Sequence, residues 1–340
     1  MNTTKKILEC VPNFSEGRDK NIIESIAESI RSVEGAHLLH VDISPAANRT
    51  VMTFAGEPEA VIEAAFQAIK KAGELIDMRN QIGVHPRIGA TDVCPLVPLY
   101  NMTMDEANDC AMKLGARVGE ELNIPVYLYE YSASKDHRRA LPDIRKGQYE
   151  GFAEKVKLPD WMPDYGNEFN AATGATVIGA REILVAFNIA LNTQDVSKAK
   201  YIAERIRERG YRENRKRIPG LLSKVRAIGW YMADYNCAQV SLNLLDHRES
   251  SPLKVWEGCK ALACEVDVAV IGSEVIGLIP ERCLLEAGSF VYLEKREENV
   301  NDKQLLIHYA IELLGLNKLK GFKEQEKVLE YALAHAGLIG

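Results

Sequence analysis

The sequence predicts an α/β (α+β) protein of two units, residues 1–181 and 182–340. Each is expected to be a mainly antiparallel sheet of split-βαβ (ferredoxin-like) order with helices packed on one face. Three observations predict this. The 340 residues suffice for two domains of ~150 residues each. Short apolar runs alternate with longer segments of helical period in the order β-α-β-β-α-β, and that order occurs twice. A stretch carrying Pro142, Pro159, Pro163, Gly166 and Gly174 separates the two occurrences.

In order, Ile7 to Val11 has the continuous apolar pattern of a buried strand, and the turn residues Asn13-Phe14-Ser15-Glu16-Gly17 follow it. Asp19 to Val33 puts Ile22, Ile23, Ile26, Ala27 and Ile30 on one helical face. Leu38 to Ile43 and Thr50 to Ala55 are strands joined by the turn Ser44-Pro45-Ala46-Ala47-Asn48. Glu57 to Ile76 is a helix with Pro58 in its first turn, where the missing N–H costs nothing. A strand from Val93 to Leu99, a helix from Thr103 to about Leu122 and a strand from Pro125 to Tyr131 complete the first half. Residues 132–175 read as mostly irregular. The pattern then restarts with strand Ile183 to Asn188, helix Asp195 to Arg209 and strands Val225 to Tyr231 and Ala238 to Leu244. Helix Pro252 to Cys264 and strand Val268 to Ile271 follow, and helices at Asn301 to Leu314 and Glu324 to Ala336 close the chain. Two such units facing one another would leave a cleft, a common place for a small-molecule site.

Composition narrows the function classes. Hydrophobic content of 46% and charged content of 26% are ordinary for a globular protein. A net charge of −6 argues against a general nucleic-acid binder. No run approaches ~18 apolar residues, and no apolar segment follows the polar start Met1-Asn2-Thr3-Thr4-Lys5-Lys6, so no membrane span or secretion signal is expected and a cytoplasmic protein is. The seven cysteines are odd in number and scattered, which fits reduced thiols better than a disulfide framework. There is no CxxC, so no structural metal is expected. Gly174-Ala175-Thr176-Val177-Ile178-Gly179-Ala180-Arg181 has P-loop glycine spacing but not the Lys-Ser/Thr that holds phosphate and Mg²⁺. With no GxGxxG after the first strand either, no nucleotide cofactor is expected.

The candidate reacting group lies in Gly83-Val84-His85-Pro86-Arg87-Ile88-Gly89-Ala90-Thr91-Asp92-Val93-Cys94-Pro95, between a helix and a short apolar strand. Pro86 biases His85 towards extended backbone, and Gly83 and Gly89 let the chain bend and a ligand approach. Histidine is the side chain whose ordinary pKa suits proton transfer near neutral pH. On spacing alone two readings stay open: a proton carrier, or a histidine that bonds its own loop. Cys94 reads as a buried strand cysteine rather than a nucleophile. Two basic groups stand out in this acidic chain. One is Arg212, Arg215, Lys216, Arg217, Lys224 and Arg226, a solvated turn or an anion site; the other is Lys135, His137, Arg138, Arg139, Arg145 and Lys146. Facing a cleft, both would concentrate a multiply anionic ligand.

Glu9-Cys10-Val11-Pro12-Asn13-Phe14-Ser15-Glu16-Gly17 and His85 through Pro95 resemble the glutamate formimidoyltransferase family. So do Asn48-Arg49-Thr50-Val51, Pro125-Val126-Tyr127-Leu128-Tyr129, Ala186-Phe187-Asn188, Ile228-Gly229-Trp230-Tyr231, Gln239-Val240-Ser241 and Asn243-Leu244-Leu245-Asp246. The likeness runs in order from about residue 7 to about residue 290. It implies transfer of the formimino group of N-formimino-L-glutamate to tetrahydrofolate in histidine breakdown, by two α/β subdomains flanking an electropositive folate tunnel in a homodimer. Tetrahydrofolate, as its polyglutamate, is then the co-substrate, with no metal, nucleotide, nucleic acid or membrane partner. The resemblance places the catalytic histidine at His85 and the site aspartate at Asp42. It places the folate-contacting loop at Gly166, Asn167, Glu168, Phe169, Asn170, Ala171, Ala172, Thr173 and Gly174, about one residue shorter than in the vertebrate form, with Asn13 and Arg87 as further binding residues. The helical cyclodeaminase that follows in the vertebrate enzyme is not expected, because the chain stops at Gly340. Other readings are a non-catalytic folate- or anion-binding protein, a transferase of formyl groups, and an RNA-binding protein, the last disfavoured by charge and by the lack of an aromatic RNP-type pattern.

Overall fold

The computed structural model describes residues 4–166, 168–295 and 302–340. The chain divides into a first unit, Met1–Glu182 with Leu333–Gly340, and a second, Ile183–Ala332.

The first unit carries seven strands in one sheet: β1 (Ile7–Cys10), β2 (Asn13–Phe14), β3 (Ala36–Ser44), β4 (Arg49–Gly56), β5 (Thr91–Tyr100), β6 (Val126–Leu128) and β7 (Thr176–Ala180). Three long helices accompany them: α1 (Lys20–Arg31), α2 (Pro58–Leu75) and α3 (Met104–Leu122). β1 lies antiparallel between β4 and β5, and β3 flanks β4, which is the split-βαβ order. Beyond β5 the sheet turns parallel: β7 pairs β5, and β6 pairs β7. Alternation fixes the faces. Leu8, Cys10, Met52, Phe54, Cys94 and Leu96 point into one core with Ile26 and Ile30 of α1, Ala65 and Ile69 of α2 and Leu114 and Val118 of α3. The intervening residues of those strands therefore lie on the opposite face. Helix starts follow the sequence: Asp19 accepts from the N–H groups of Asn21 and Ile22, and Thr103 and Glu106 form a capping box. Residues 132–175 hold two single helical turns, α4 (Leu141–Ile144) and α5 (Phe152–Lys155), over a small second core that includes Val93, Tyr127, Phe152 and Val177.

The second unit is β8 (Val185–Leu191), α6 (Val196–Ile206), a hairpin of β9 (Tyr211–Glu213) and β10 (Lys216–Ile218), β11 (Val225–Met232), β12 (Cys237–Leu244), α7 (Pro252–Cys264) and β13 (Val270–Ile276). Its four-stranded sheet has the order β11-β12-β8-β13, antiparallel throughout. Val185, Phe187, Ile189 and Leu191 face Ile202 and Ile206 of α6 and Val255 and Cys259 of α7. Then come α8 (Glu281–Lys295), α9 (Lys303–Leu313), α10 (Glu324–Lys327) and α11 (Leu329–His335).

Four features depart from the sequence expectation. The failed P-loop stretch is β7, a fully buried strand inside the sheet, because Val177, Ile178 and Ala180 fill both faces. The segment Glu281 to Lys295, left without an element, is a helix that buries Cys283, Leu284, Ala287 and Tyr292. The cationic run Arg212 to Arg217 is a hairpin whose turn residues Asn214 and Arg215 both have positive φ (48° and 65°), as a two-residue turn of mirror-image type requires. The closing helix breaks at Val328, which is extended and bridges Ile279. All seven cysteines are free thiols, six of them buried, Cys94 among them. Among the described residues no helix is long and apolar enough to cross a membrane.

Candidate active site

His85 sits in the loop between α2 and β5, and three neighbouring segments hold that loop. The turn between β3 and β4 does so through Asn48, whose Nδ2 donates to the Ile82 carbonyl (3.0 Å) while its Oδ1 accepts from Gly17 N (2.9 Å). Gly83 passes so close to this turn that a Cβ would stand 2.5 Å from the Ala47 carbonyl oxygen. The segment after α4 holds the loop through Arg87. Its guanidinium donates to the Gln81 side chain and carbonyl (2.7 and 3.0 Å) and to both oxygens of Glu150 (2.9 and 2.7 Å). The third segment is 170–174. Ala90 N donates to the Thr173 carbonyl and Met78 N to that of Ala172, both at 2.8 Å. Gly89 and Gly174 form a bridge in which a Cβ on Gly174 would lie 2.2 Å from the Ile88 carbonyl oxygen.

The His85 ring is half-buried, and its Nδ1 lies 2.7 Å from the Pro86 carbonyl oxygen. A carbonyl only accepts, so Nδ1 carries the hydrogen, and in the neutral ring Nε2 carries the lone pair. Burial and the cations Arg49 and Arg145 push the imidazole well below its ordinary range, opposed by Asp92 and the Pro86 carbonyl.

Asp92 is the second residue of β5 and is fully buried. Its carboxylate takes Nη1 of Arg49 at 2.7 Å, Nη2 of Arg145 at 2.5 Å and the backbone N–H of Ile88 at 3.0 Å. The two guanidinium groups hold its pKa down at about 2 against the opposing effect of burial, and burial lowers Arg49 to about 10. Nε of Arg49 also donates to Oδ1 of Asn13 (3.1 Å), whose Nδ2 donates to the Val11 carbonyl.

Each residue singled out from the sequence has a definite place. Asp42 and Asn13 both pair Val51 across the sheet, so they share one face of it, the face of Arg49. Nε2 of His40 lies 3.3 Å from Oδ2 of Asp42, and the Asp92 carboxylate acts on His85. Arg87 anchors the loop to Gln81 and Glu150. In the 166–174 segment, Phe169 packs on Tyr149 and Phe152, and Oδ1 of Asn170 accepts from the N–H groups of Ala172 and Thr173. Tyr149 donates to the Ala171 carbonyl, and Gly166 has positive φ (70°). Glu168 is exposed, and Asn167 lies outside the described residues.

The residues that sequence reasoning did not assign to the site are Arg49, Asp92 and Arg145. Asp92 stood inside the singled-out stretch, and Arg145 within a basic group. The other members of that group bond locally: Arg138 is buried against Asp164 and the Met162 carbonyl, and Lys135 and His137 reach the carbonyls of Pro159 and Asp160.

Comparison with known proteins fits this arrangement. The sequence model for the N-terminal subdomain of the formiminotransferase domain matches residues 7–181, and that for the formiminotransferase domain matches residues 186–334. The chain is 44% identical to the formimidoyltransferase-cyclodeaminase of Rattus norvegicus over 334 residues, 98% of this chain and 61% of that protein. It therefore spans about three-fifths of the length of the bifunctional relatives. It is 39% identical to the glutamate formimidoyltransferase of Streptococcus pyogenes serotype M1 over 307 residues, 90% of this chain and 99% of that protein. The enzyme of the same name from Thermoplasma acidophilum is also 39% identical, over 85% of this chain and 92% of its own. With its two matched regions covering both units and its His85 loop built into the first, the chain belongs to the formiminotransferase domain family.

Proposed function

We propose that the chain transfers the formimino group of N-formimino-L-glutamate to tetrahydrofolate, giving 5-formimino-tetrahydrofolate and L-glutamate. The relatives that match along nearly their whole length carry the name of that activity. The observation that supports the mechanism is His85, with one nitrogen held by a carbonyl and the other able to accept a proton.

N5 of tetrahydrofolate bonds to the amidine carbon and forms a tetrahedral intermediate. His85 Nε2 takes the proton that N5 loses. The imidazolium then returns a proton to the glutamate nitrogen as its bond to the carbon breaks, so that glutamate leaves as an amine. One proton carrier serves both steps, in the range of 10²–10⁴-fold usual for general acid–base catalysis. The reaction moves a carbon group and protons, with no change of oxidation state. Asn13, Arg87 and the Gly166–Gly174 segment are proposed to contact the folate or substrate, and Asp42, on the same sheet face as Asn13, to orient or charge-stabilise the His85 imidazolium. Arg87 also holds the loop. The reading carries with it subdomains 1–181 and 182–340, a homodimer and a cytoplasmic location.

Incubation of the purified protein with formiminoglutamate and tetrahydrofolate tests the reading. Formation of 5-formimino-tetrahydrofolate and glutamate in equal amounts is expected. Folate binding without turnover would make the protein a non-catalytic binder, and turnover with N-formylglutamate alone would make it a formyl transferase.

A further inference from the structure

We propose that Glu274, with Asn188 and Ser241 beside it on the sheet of the second unit, binds the charged amidinium of the formimino donor. The inference rests on the transfer reading for the identity of the ligand, and its first test measures binding alone.

Strand register brings the three residues together. Ser241 of β12 pairs Asn188 of β8, and Asn188 pairs Glu274 of β13, so they form one row across the sheet. The next row, Leu242, Phe187 and Val275, faces the core with α6 and α7, which puts Glu274 and its neighbours on the opposite face. Neutral donors hold the Glu274 carboxylate from three directions. Oε1 accepts from Nδ2 of Asn188 (3.1 Å) and Nε2 of Gln239 (3.3 Å), and Oε2 accepts from the Tyr235 hydroxyl (2.7 Å). Gln239 is in turn fixed by Trp230, whose Nε1 donates to its Oε1 (3.3 Å). Asn188 and Gln239 are 4% and 0% exposed, so the network is part of the packed structure rather than a solvated surface.

What the network lacks is a cation. Among the described residues no lysine, arginine or histidine pairs with the half-buried Glu274. Asn188 spends an N–H on Glu274, yet among the described residues nothing donates to its Oδ1, and the Ser241 hydroxyl makes no bond. A carboxylate, an amide oxygen and a hydroxyl thus stand in one row with acceptor capacity to spare and one uncompensated negative charge. The ligand that completes such a row is cationic and offers N–H groups in one plane. The protonated formamidine of N-formimino-L-glutamate is that kind of group, with its charge spread over two nitrogens on one carbon. Its bonds to Glu274 would be charge-assisted, about twice as strong as neutral ones. A neighbouring carboxylate also favours the protonated amidine, the more electrophilic form. The 2-amino-4-oxopyrimidine edge of the folate offers a similar pair of N–H groups but no charge, and would leave Glu274 uncompensated.

The test is calorimetric titration of the full-length protein with N-formimino-L-glutamate, in the presence of folic acid, whose N5 carries no hydrogen and accepts no group. N-formyl-L-glutamate, of similar shape but without the positive charge, is the control ligand. Wild type is expected to bind the formimino compound the more tightly. Glu274→Gln, which keeps the shape and removes the charge, should weaken that binding roughly 10–100-fold and leave the formyl compound nearly unaffected. Ser241→Ala takes away a hydroxyl that the fold does not use, so it should fold as wild type and weaken formimino binding by roughly 2–10-fold. A folded Glu274→Gln protein with unchanged affinity, an equal loss for both ligands, or unchanged affinity in Ser241→Ala overturns the proposal. In turnover, Glu274→Gln should raise KM for the formimino donor and not for tetrahydrofolate; a rise confined to tetrahydrofolate would assign the row to the pterin and overturn the proposal as well. The two readings fail separately. A protein that binds the donor through Glu274 but transfers no formimino group refutes the function alone. An active protein whose affinity for the donor ignores the charge at position 274 refutes only this inference.

Discussion

Two groups of cations in this chain have opposite fates. In the first unit, Arg49 and Arg145 lie inside the protein on one carboxylate. In the second unit, Arg212, Arg215, Lys216 and Arg217 stand on the exposed β9–β10 hairpin. The base of that hairpin is tied down by Arg205, whose guanidinium lies 3.4 Å and 4.2 Å from the ring centroids of Tyr201 and Tyr211, and by Arg207, whose Nε donates to the Gly210 carbonyl. Sequence counting drew attention to the second group because its members are contiguous. The first is scattered over 97 positions and carries the larger electrostatic consequences: Asp92 is driven to about 2, Arg49 to about 10 and His85 downward. What separates the two groups is the dielectric around each charge rather than the number of charges.

The largest expected effect concerns the residue the buried group surrounds. His85→Gln should cut turnover by roughly 10²–10⁴-fold while leaving folate affinity and the melting temperature close to wild type, because the ring is half-buried in a loop held mainly by Asn48, Arg87 and Gly174. Activity near wild type would remove the proton carrier. A large fall in melting temperature would make His85 a structural residue, as the local reading of its loop allowed.

Next in size is the cluster itself. Asp92→Asn leaves two buried guanidinium groups facing an amide, and breaking a buried pair in this way costs about 3–5 kcal/mol. For a unit of this size the melting temperature should fall by roughly 10 °C. The pH dependence follows from the sign of the shift. The folded carboxyl lies near 2, below its ordinary 3.8, so its contribution is complete above about 4 and is lost as pH falls through 2. His85 acts in the same direction in a higher window: the unfolded chain takes up its proton first, so stability declines as pH drops below 6.5. Acid melts of wild type and Asp92→Asn should therefore diverge least near pH 2. A constant gap at every pH would mean that the carboxylate is not the source of the loss.

How much of this was legible beforehand differs between fold and site. The split-βαβ order was readable in both halves because short apolar runs, such as those around Phe54, Val97, Phe187 and Val240, alternate with segments of helical period, and Asp19, Pro58 and Thr103 mark helix starts. β7 was not, because glycine spacing drew attention to a nucleotide motif and a strand buried on both faces has no alternation to read. α8 escaped because acidic residues interrupt its apolar positions. The His85 loop was found through its Gly and Pro punctuation. The Arg49–Asp92–Arg145 contact was not, since a bond between positions 49, 92 and 145 exists only once β4, β5 and α4 are assembled. The choice of Asp42 as a site carboxylate came from the family resemblance, since nothing in the spacing of the sequence relates it to His85.

The smallest expected effect belongs to the hairpin and tests whether exposure alone disarms a cationic cluster. Lys216→Ala with Arg217→Ala removes two solvated side chains that pair across no buried surface, so stability should change by less than about 0.5 kcal/mol. If these cations draw in polyglutamyl folate, KM for that substrate should rise in the double variant while kcat stays put. The rise should be larger at low salt than at high, because exposed charges are screened beyond about 8–10 Å at physiological ionic strength. Monoglutamyl folate, carrying fewer carboxylates, should respond less. An RNA-binding role would instead leave KM alone and show a steep salt slope for oligonucleotide binding. If KM for both folates is indifferent to the substitutions at every salt concentration, the hairpin is solvated surface, and the electrostatics that matter are confined to the two arginines buried on Asp92.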